Sequence, residues 1–123
     1  MTEQPKSVEI KMSAIDGLGV FATETIPAGT CLGTYTGVSY TRKEFLEKYG
    51  KDYRYCYFTN FSWLPIVCAK EERHFMTYIN EGETPNVELK RYKLYALKDI
   101  VQGEELLLKY PTTYKRTWAK YYK

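Results

Sequence analysis

Leu97-Lys98-Asp99-Ile100-Val101-Gln102-Gly103-Glu104-Glu105-Leu106-Leu107-Leu108-Lys109-Tyr110 is the stretch from which the rest of the chain can be read. Asp99 and Gly103 frame a tight reversal, with glycine supplying the backbone freedom such a turn needs, and the apolar run at 106–108 continues as a strand towards Tyr110. The same order of residue types occurs once earlier. Residues 20–32 align without a gap on 94–106, so that Phe21 meets Tyr95, Ala22 meets Ala96, Ile26 meets Ile100, Gly29 meets Gly103 and Leu32 meets Leu106. Each copy predicts strand, turn, strand, and each is followed by a tyrosine, Tyr35 or Tyr110. Two similar hairpins can bring two tyrosines to one site; the bland alternative is ordinary β-turn chemistry repeated by chance.

Working outward, short strands are expected at 8–11, 20–23, 31–37, 54–60, 64–69, 87–90, 92–97 and 105–110, separated by glycine, proline or asparagine. One helix is well signalled. Thr41-Arg42-Lys43-Glu44 has capping-box spacing, Phe45, Leu46 and Tyr49 share a face, and Gly50 stops it. A second short helix is expected at 113–122. The class is therefore mainly β with few short helices.

At 123 residues, 44% hydrophobic and 27% charged, the chain fits a single domain spanning 1–123, with a tail at 111–123. That tail carries Lys115, Arg116, Lys120 and Lys123 and no acid; removing its four positive charges from the net +3 leaves residues 1–110 at −1. A nearly neutral body argues against direct nucleic-acid binding, which spreads positive charge over a face. The cysteines Cys31, Cys56 and Cys68 are odd in number and widely spaced, which suggests neither a disulfide framework nor a zinc site; free thiols in a reducing compartment are expected. No signal-peptide core and no span of ~20 apolar residues is present, so an intracellular protein away from the membrane is expected.

Further stretches join the first in a fixed order: Gly17-Leu18-Gly19-Val20-Phe21-Ala22, Thr34-Tyr35-Thr36-Gly37 and Tyr78-Ile79-Asn80-Glu81-Gly82-Glu83-Thr84-Pro85-Asn86. Together they resemble the SET family of protein lysine methyltransferases over nearly the whole chain. The first is similar to the family's G-x-G segment, the second to its aromatic-x-Gly strand, the third to R-F-I-N-H-S-C-x-P-N, and 97–110 to its A-x-x-D-I-x-x-G-E-E-L-x-x-x-Y ending. Glu81, Gly82 and Glu83 stand where the family has histidine, serine and cysteine, and His74-Phe75-Met76 is similar to the related PR-type domains.

The resemblance implies a SET-type fold of small curved sheets with a C-terminal pseudoknot, β-clip-like, and S-adenosylmethionine as methyl donor without a metal. It implies Tyr110 as the catalytic tyrosine with Tyr35 as its partner. Gly17, Leu18, Gly19, Tyr78, Asn80, Glu81 and Trp118 would then hold the cofactor, Trp118 by stacking on adenine unless it is a core anchor. Tyr57, Leu89 and Leu108 would line the substrate channel. The chemistry agrees with what is missing. Methyl transfer to an amine needs a neutral nitrogen and a linear approach rather than a Ser-His-Asp or metal cluster, and an apolar aromatic channel favours the neutral lysine. His74 is accordingly expected to be structural. Family members that stop at one methyl have a tyrosine at the position of Leu108 or Leu89, so a pocket capable of di- or trimethylation is implied. The implied partner is a lysine-bearing protein, most plausibly a histone tail bound near Glu81, Glu83 and Glu88, in the nucleus or a host nucleus, with a homodimer of the kind known among small viral and microbial members. The altered residues 81–83 leave open an alternative: a catalytically silent SET/PR-like interaction module.

Overall fold

The computed structural model describes residues 4–15, 17–57 and 64–109, and short strands dominate them. In chain order these are β1 (Val8–Met12), β2 (Leu18–Ala22), β3 (Cys31–Thr34), β4 (Val38–Tyr40), α1 (Arg42–Tyr49), β5 (Cys56–Tyr57), β6 (Ile66–Cys68), a 3₁₀ turn (Phe75–Tyr78), β7 (Asn80–Glu81), β8 (Val87–Lys90), β9 (Lys93–Ala96) and β10 (Leu107–Lys109). They fall into two compact units, one of residues 36–73 and one of the described residues up to 35 together with 74–109.

In the larger unit the two sequence copies pair with each other. Ile26 and Ile100 exchange both backbone hydrogen bonds, at 2.7 and 2.8 Å. Around them the pattern repeats under exchange of copies: Ala22 N–H donates to Glu104 O as Ala96 N–H does to Thr30 O, and Gly103 N–H donates to Ala22 O as Gly29 N–H does to Ala96 O. The bridge Phe21↔Glu105 has its mate in Cys31↔Tyr95. Gly29 and Gly103 carry φ of +84° and +92°, a left-handed conformation that disfavours any side chain, which explains why both copies keep glycine there. The core is apolar at the matched positions: Val20, Ile26, Leu94, Ile100 and Leu106 are all buried.

β1 and β2 form an antiparallel pair, Val8↔Ala22 through Met12↔Leu18. The remaining strands of this unit form one sheet in the order β3-β9-β8-β10-β7. β8 and β9 are a hairpin turning on Arg91 and Tyr92, both left-handed, as a two-residue turn matched to strand twist requires. β10 runs parallel to both its neighbours, with β7 on one side (Leu107↔Asn80, Leu108↔Glu81) and β8 on the other (Leu108↔Val87, Lys109↔Glu88). The connection from β7 to β8 crosses β10 closely: a Cβ on Gly82 would meet Leu107 Cδ1 at 2.7 Å. This is the threaded arrangement implied by the resemblance.

In the smaller unit the sheet order is β4-β6-β5. The capping box is formed as the spacing predicts. Thr41 Oγ1 accepts from Glu44 N–H at 3.1 Å, Glu44 Oε1 accepts from Thr41 N–H at 2.8 Å, and Gly50 closes the helix with its N–H on Leu46 O. Phe45 is buried against Cys56, Ile66 and Cys68, with Tyr40, Tyr49 and Tyr53 packed around them. Asp52 accepts two side-chain hydrogen bonds from Arg54 and pairs with Lys70 at 3.3 Å. Arg54 first, then Lys70, holds its carboxyl down to about 2 against the cost of partial burial.

Several boundaries differ from the sequence expectation. The strand expected at 31–37 is two: β3 stops at Thr34 and β4 begins at Val38 in another sheet. Between them lies Gly37, where any Cβ would collide with the Cys68 carbonyl oxygen. The strand expected at 54–60 cannot start at Arg54, because Tyr55 is left-handed (φ +58°). β7 is too short to leave a periodic signature. The helix expected at 113–122 lies outside the described residues. Among the described residues no helix is long and apolar enough to cross a membrane.

Candidate active site

The β1–β2 turn is built around Ser13. Its N–H donates to Gly17 O at 2.7 Å, its Oγ accepts from Ile15 N–H at 3.0 Å, and its hydroxyl reaches the Glu105 carboxylate, 2.8 Å from Oε1 and 2.9 Å from Oε2. Gly17 is exposed and left-handed (φ +47°), with nothing within 4 Å of where a side chain would start. Leu18 is 44% exposed. Gly19 is buried, and a Cβ there would overlap Glu105 Oε2.

Asn80, on β7, closes this arrangement. Its Nδ2 donates to Glu105 Oε2 at 2.9 Å and to Leu18 O at 3.3 Å. The G-x-G turn, the I-N segment and the G-E-E-L strand are thereby tied at one carboxylate. Asn86 does the corresponding work beneath them. It is 3% exposed, its Nδ2 donates to Glu105 O at 2.9 Å, its Oδ1 accepts from Leu107 N–H at 2.7 Å, and its own N–H donates to Leu107 O at 3.0 Å. A buried amide so satisfied pins β10 in register.

Tyr35 is buried just beyond β3, with its N–H donating to Tyr92 O. Its ring meets His74 edge to face, centroids 4.5 Å apart at 81°. That contact gives the lone histidine a packing role, since its ring also stands 6.5 Å from Phe75. Tyr78 ends the 3₁₀ turn half-buried, and Glu81 is exposed on β7. Leu108 is buried on β10, while Leu89 is half-buried on β8, one register step past the pair Lys109↔Glu88. Tyr57 is buried on β5, in the smaller unit. Tyr110 and Trp118 lie outside the described residues. Among the described residues no group of three or more His, Cys, Asp or Glu side chains could hold a metal ion.

Two residues of the site escaped the sequence reading. Glu105 was visible within its motif, but its reach to Asn80 depends on how β10 is threaded. Ser13 carried no signal at all.

The SET domain family model matches residues 17–111. The chain belongs to the SET-domain family. This SET domain also resembles solved members in structure. The methyltransferase domain of human PR domain-containing protein 2 is 26% identical with a TM-score of 0.67, covering 87% of this chain and 78% of that one. A humanized mutant of the Chaetomium thermophilum Polycomb Repressive Complex 2 gives 26% identity and a TM-score of 0.76 over 93% of this chain and 16% of that one. A putative histone methyltransferase of Plasmodium falciparum, 20% identical with a TM-score of 0.64 over 88% of this chain and 96% of that one, shares the fold. Comparison with curated protein sequences finds no significant match. The SET family is one of protein lysine methyltransferases that use S-adenosylmethionine, and its membership supports methyltransferase activity for this chain.

Proposed function

We propose that this SET domain is an S-adenosylmethionine-dependent protein lysine N-methyltransferase acting on a histone-tail lysine. The observation that supports this reading most is the junction at Glu105, because Asn80 joins it to Leu18 and so gathers three separate family stretches at one point.

The residues present suit the cofactor. Gly17 and Leu18 form an exposed backbone turn with open space beside Gly17, while Ser13, Asn80 and Glu105 brace it from behind. An exposed glycine turn can present backbone N–H groups to a carboxylate such as the one the cofactor carries. When bound, S-adenosylmethionine supplies an electrophilic methyl group on a sulfonium sulfur. Tyr78, Asn80, Glu81 and Trp118 are the residues that would hold its other end.

Tyr35 and Tyr110 would orient the lysine nitrogen through their hydroxyls, and their ring faces would hold the methylated cation. Tyr57 is a further candidate for the channel wall. Leu89 and Leu108 bring no hydroxyl to the pocket, which favours di- and trimethylation. Glu81 and Glu88 flank β10 on its two sides, and with Glu83 they suit a basic peptide laid beside the strand. A histone substrate places the protein in a nucleus, and a homodimer is part of the same reading.

The test is transfer of radiolabelled methyl from S-adenosylmethionine to core histones, with Tyr110→Phe as control. Labelling that the variant abolishes is expected. Absence of both labelling and thermal stabilisation by millimolar cofactor would replace the enzyme with the silent interaction module, since a ligand of the native state must stabilise it.

A further inference from the structure

Cys56 and Cys68 are far apart in sequence yet directly opposite one another on β5 and β6. Ala69 N–H donates to Tyr55 O at 2.8 Å, a bond between the residues that flank the pair. That makes Cys56 and Cys68 a non-hydrogen-bonded antiparallel pair, the narrow kind, in which Cα atoms stand about 4.5 Å apart and side chains come closest. The distance lies inside the window of about 4.4–6.8 Å in which a disulfide closes without backbone movement. Both thiols are buried in the core formed with Phe45 and Ile66, whereas Cys31, the remaining cysteine, is exposed on β3.

We propose that Cys56 and Cys68 form a reversible dithiol–disulfide site that a peroxide oxidises. The two thiols are unequal. Cys56 Sγ stands 3.3 Å from Arg54 O, and hydrogen bonding of its S–H to Cys68, together with burial, pushes it up. Cys68 is brought down, by that same sulfur–sulfur hydrogen bond first and then by Lys70, whose backbone N–H and ammonium both favour the thiolate. Glu71 opposes this at Cys68, while Asp52 raises Cys56 further and Lys70 lowers it.

Cys68 is therefore the attacking sulfur. Its thiolate takes one oxygen of hydrogen peroxide as the O–O bond breaks, giving a sulfenic acid and a hydroxide that is protonated to water. Cys56 sulfur then attacks that sulfur; the S–S bond forms, the S–O bond breaks, and the departing hydroxide leaves as water with the Cys56 proton. Two thiols lose two electrons and one peroxide becomes two waters. Access requires local opening of β5, a two-residue strand at the edge of the described sheet, which separates Cys56 from β6. In a reducing compartment such a bridge is transient, the behaviour of a redox sensor rather than a structural staple. Closure would fix Tyr57, the next residue of β5, in register with Val67.

The test is graded hydrogen peroxide on the full chain, then alkylation of remaining thiols and peptide mass spectrometry. The expected result is a single internal link between Cys56 and Cys68, reversed by dithiothreitol, with Cys31 still alkylated. Cys56→Ser should leave Cys68 as a trappable sulfenic acid, and Cys68→Ser should abolish the reaction of Cys56. Retention of both free thiols at peroxide levels that already oxidise Cys31, or links made through Cys31 instead, would overturn the proposal. Circular dichroism of each variant separates loss of the link from loss of the fold.

Discussion

Asn80 and Glu105, 25 residues apart, share a hydrogen bond of 2.9 Å, and the same Asn80 amide reaches the Leu18 carbonyl. Asn80→Ala removes both bonds and leaves Glu105 to Ser13 alone. A loss of about 1–2 kcal/mol of stability is expected from hydrogen bonds of this kind. If the junction braces the cofactor turn, S-adenosylmethionine affinity by calorimetry drops at least about tenfold, equivalent to ~1.4 kcal/mol. Unchanged affinity would remove Asn80 from the binding machinery.

Asn86 should be the polar side chain of the threaded segment on which stability depends most. Asn86→Ala strips the amide from Leu107 N–H and Glu105 O, leaving buried backbone groups unpaired. A cost of about 2–4 kcal/mol is expected, read as a lower urea midpoint at unchanged slope.

Gly37 is exposed, yet a side chain there has no room because the Cys68 carbonyl stands in its place. The obstacle is strand backbone rather than a flexible tip. Gly37→Ala should therefore cost more than about 2 kcal/mol or prevent folding. Gly50→Ala meets no atom, but φ +64° with ψ −130° is backbone that essentially only glycine adopts, so strain alone should cost about 1–3 kcal/mol.

The smaller unit should weaken in acid through Asp52. Its folded carboxyl titrates near 2 against an ordinary 3.8, so its contribution is complete above pH ~4 and disappears as pH falls through about 2. Discounted for solvent exposure, it is worth about 1 kcal/mol. In Asp52→Asn the thermal midpoint should be lower at pH 7 and fall less steeply between pH 4 and 2. Parallel curves for the two proteins would contradict this.

Product multiplicity tests the channel. Exhaustive methylation of a histone peptide should yield di- and trimethyl-lysine in the native protein. Leu89→Tyr, which adds a hydroxyl at a half-buried position, should shift the mass spectrum towards monomethyl-lysine. A monomethyl limit in the unaltered protein would contradict the reading of Leu89 and Leu108.

What could be read from the sequence was what is local. Thr41 and Glu44 are three residues apart and form their capping box whatever the rest of the chain does. Gly29 and Gly103 mark turns because a left-handed backbone excludes other residues. The hairpin echo forecast two similar elements, although not that Ile26 and Ile100 would bond to each other. What depends on distant pairing left no trace. β7 has two residues and exists because β10 lies beside it, Ser13 meets Glu105 across 92 positions, and Cys56 faces Cys68 only once β5 and β6 are aligned.

The parallel placement of β10 between β7 and β8 has a kinetic side. Neither neighbour can be reached by a tight turn, and both must be in place, with the 82–86 connection formed, before β10 is captured. Loop-closure entropy is spent before those contacts return anything, so the chain should fold slowly for its size. The strand that leads to residue 110 is then among the last to dock.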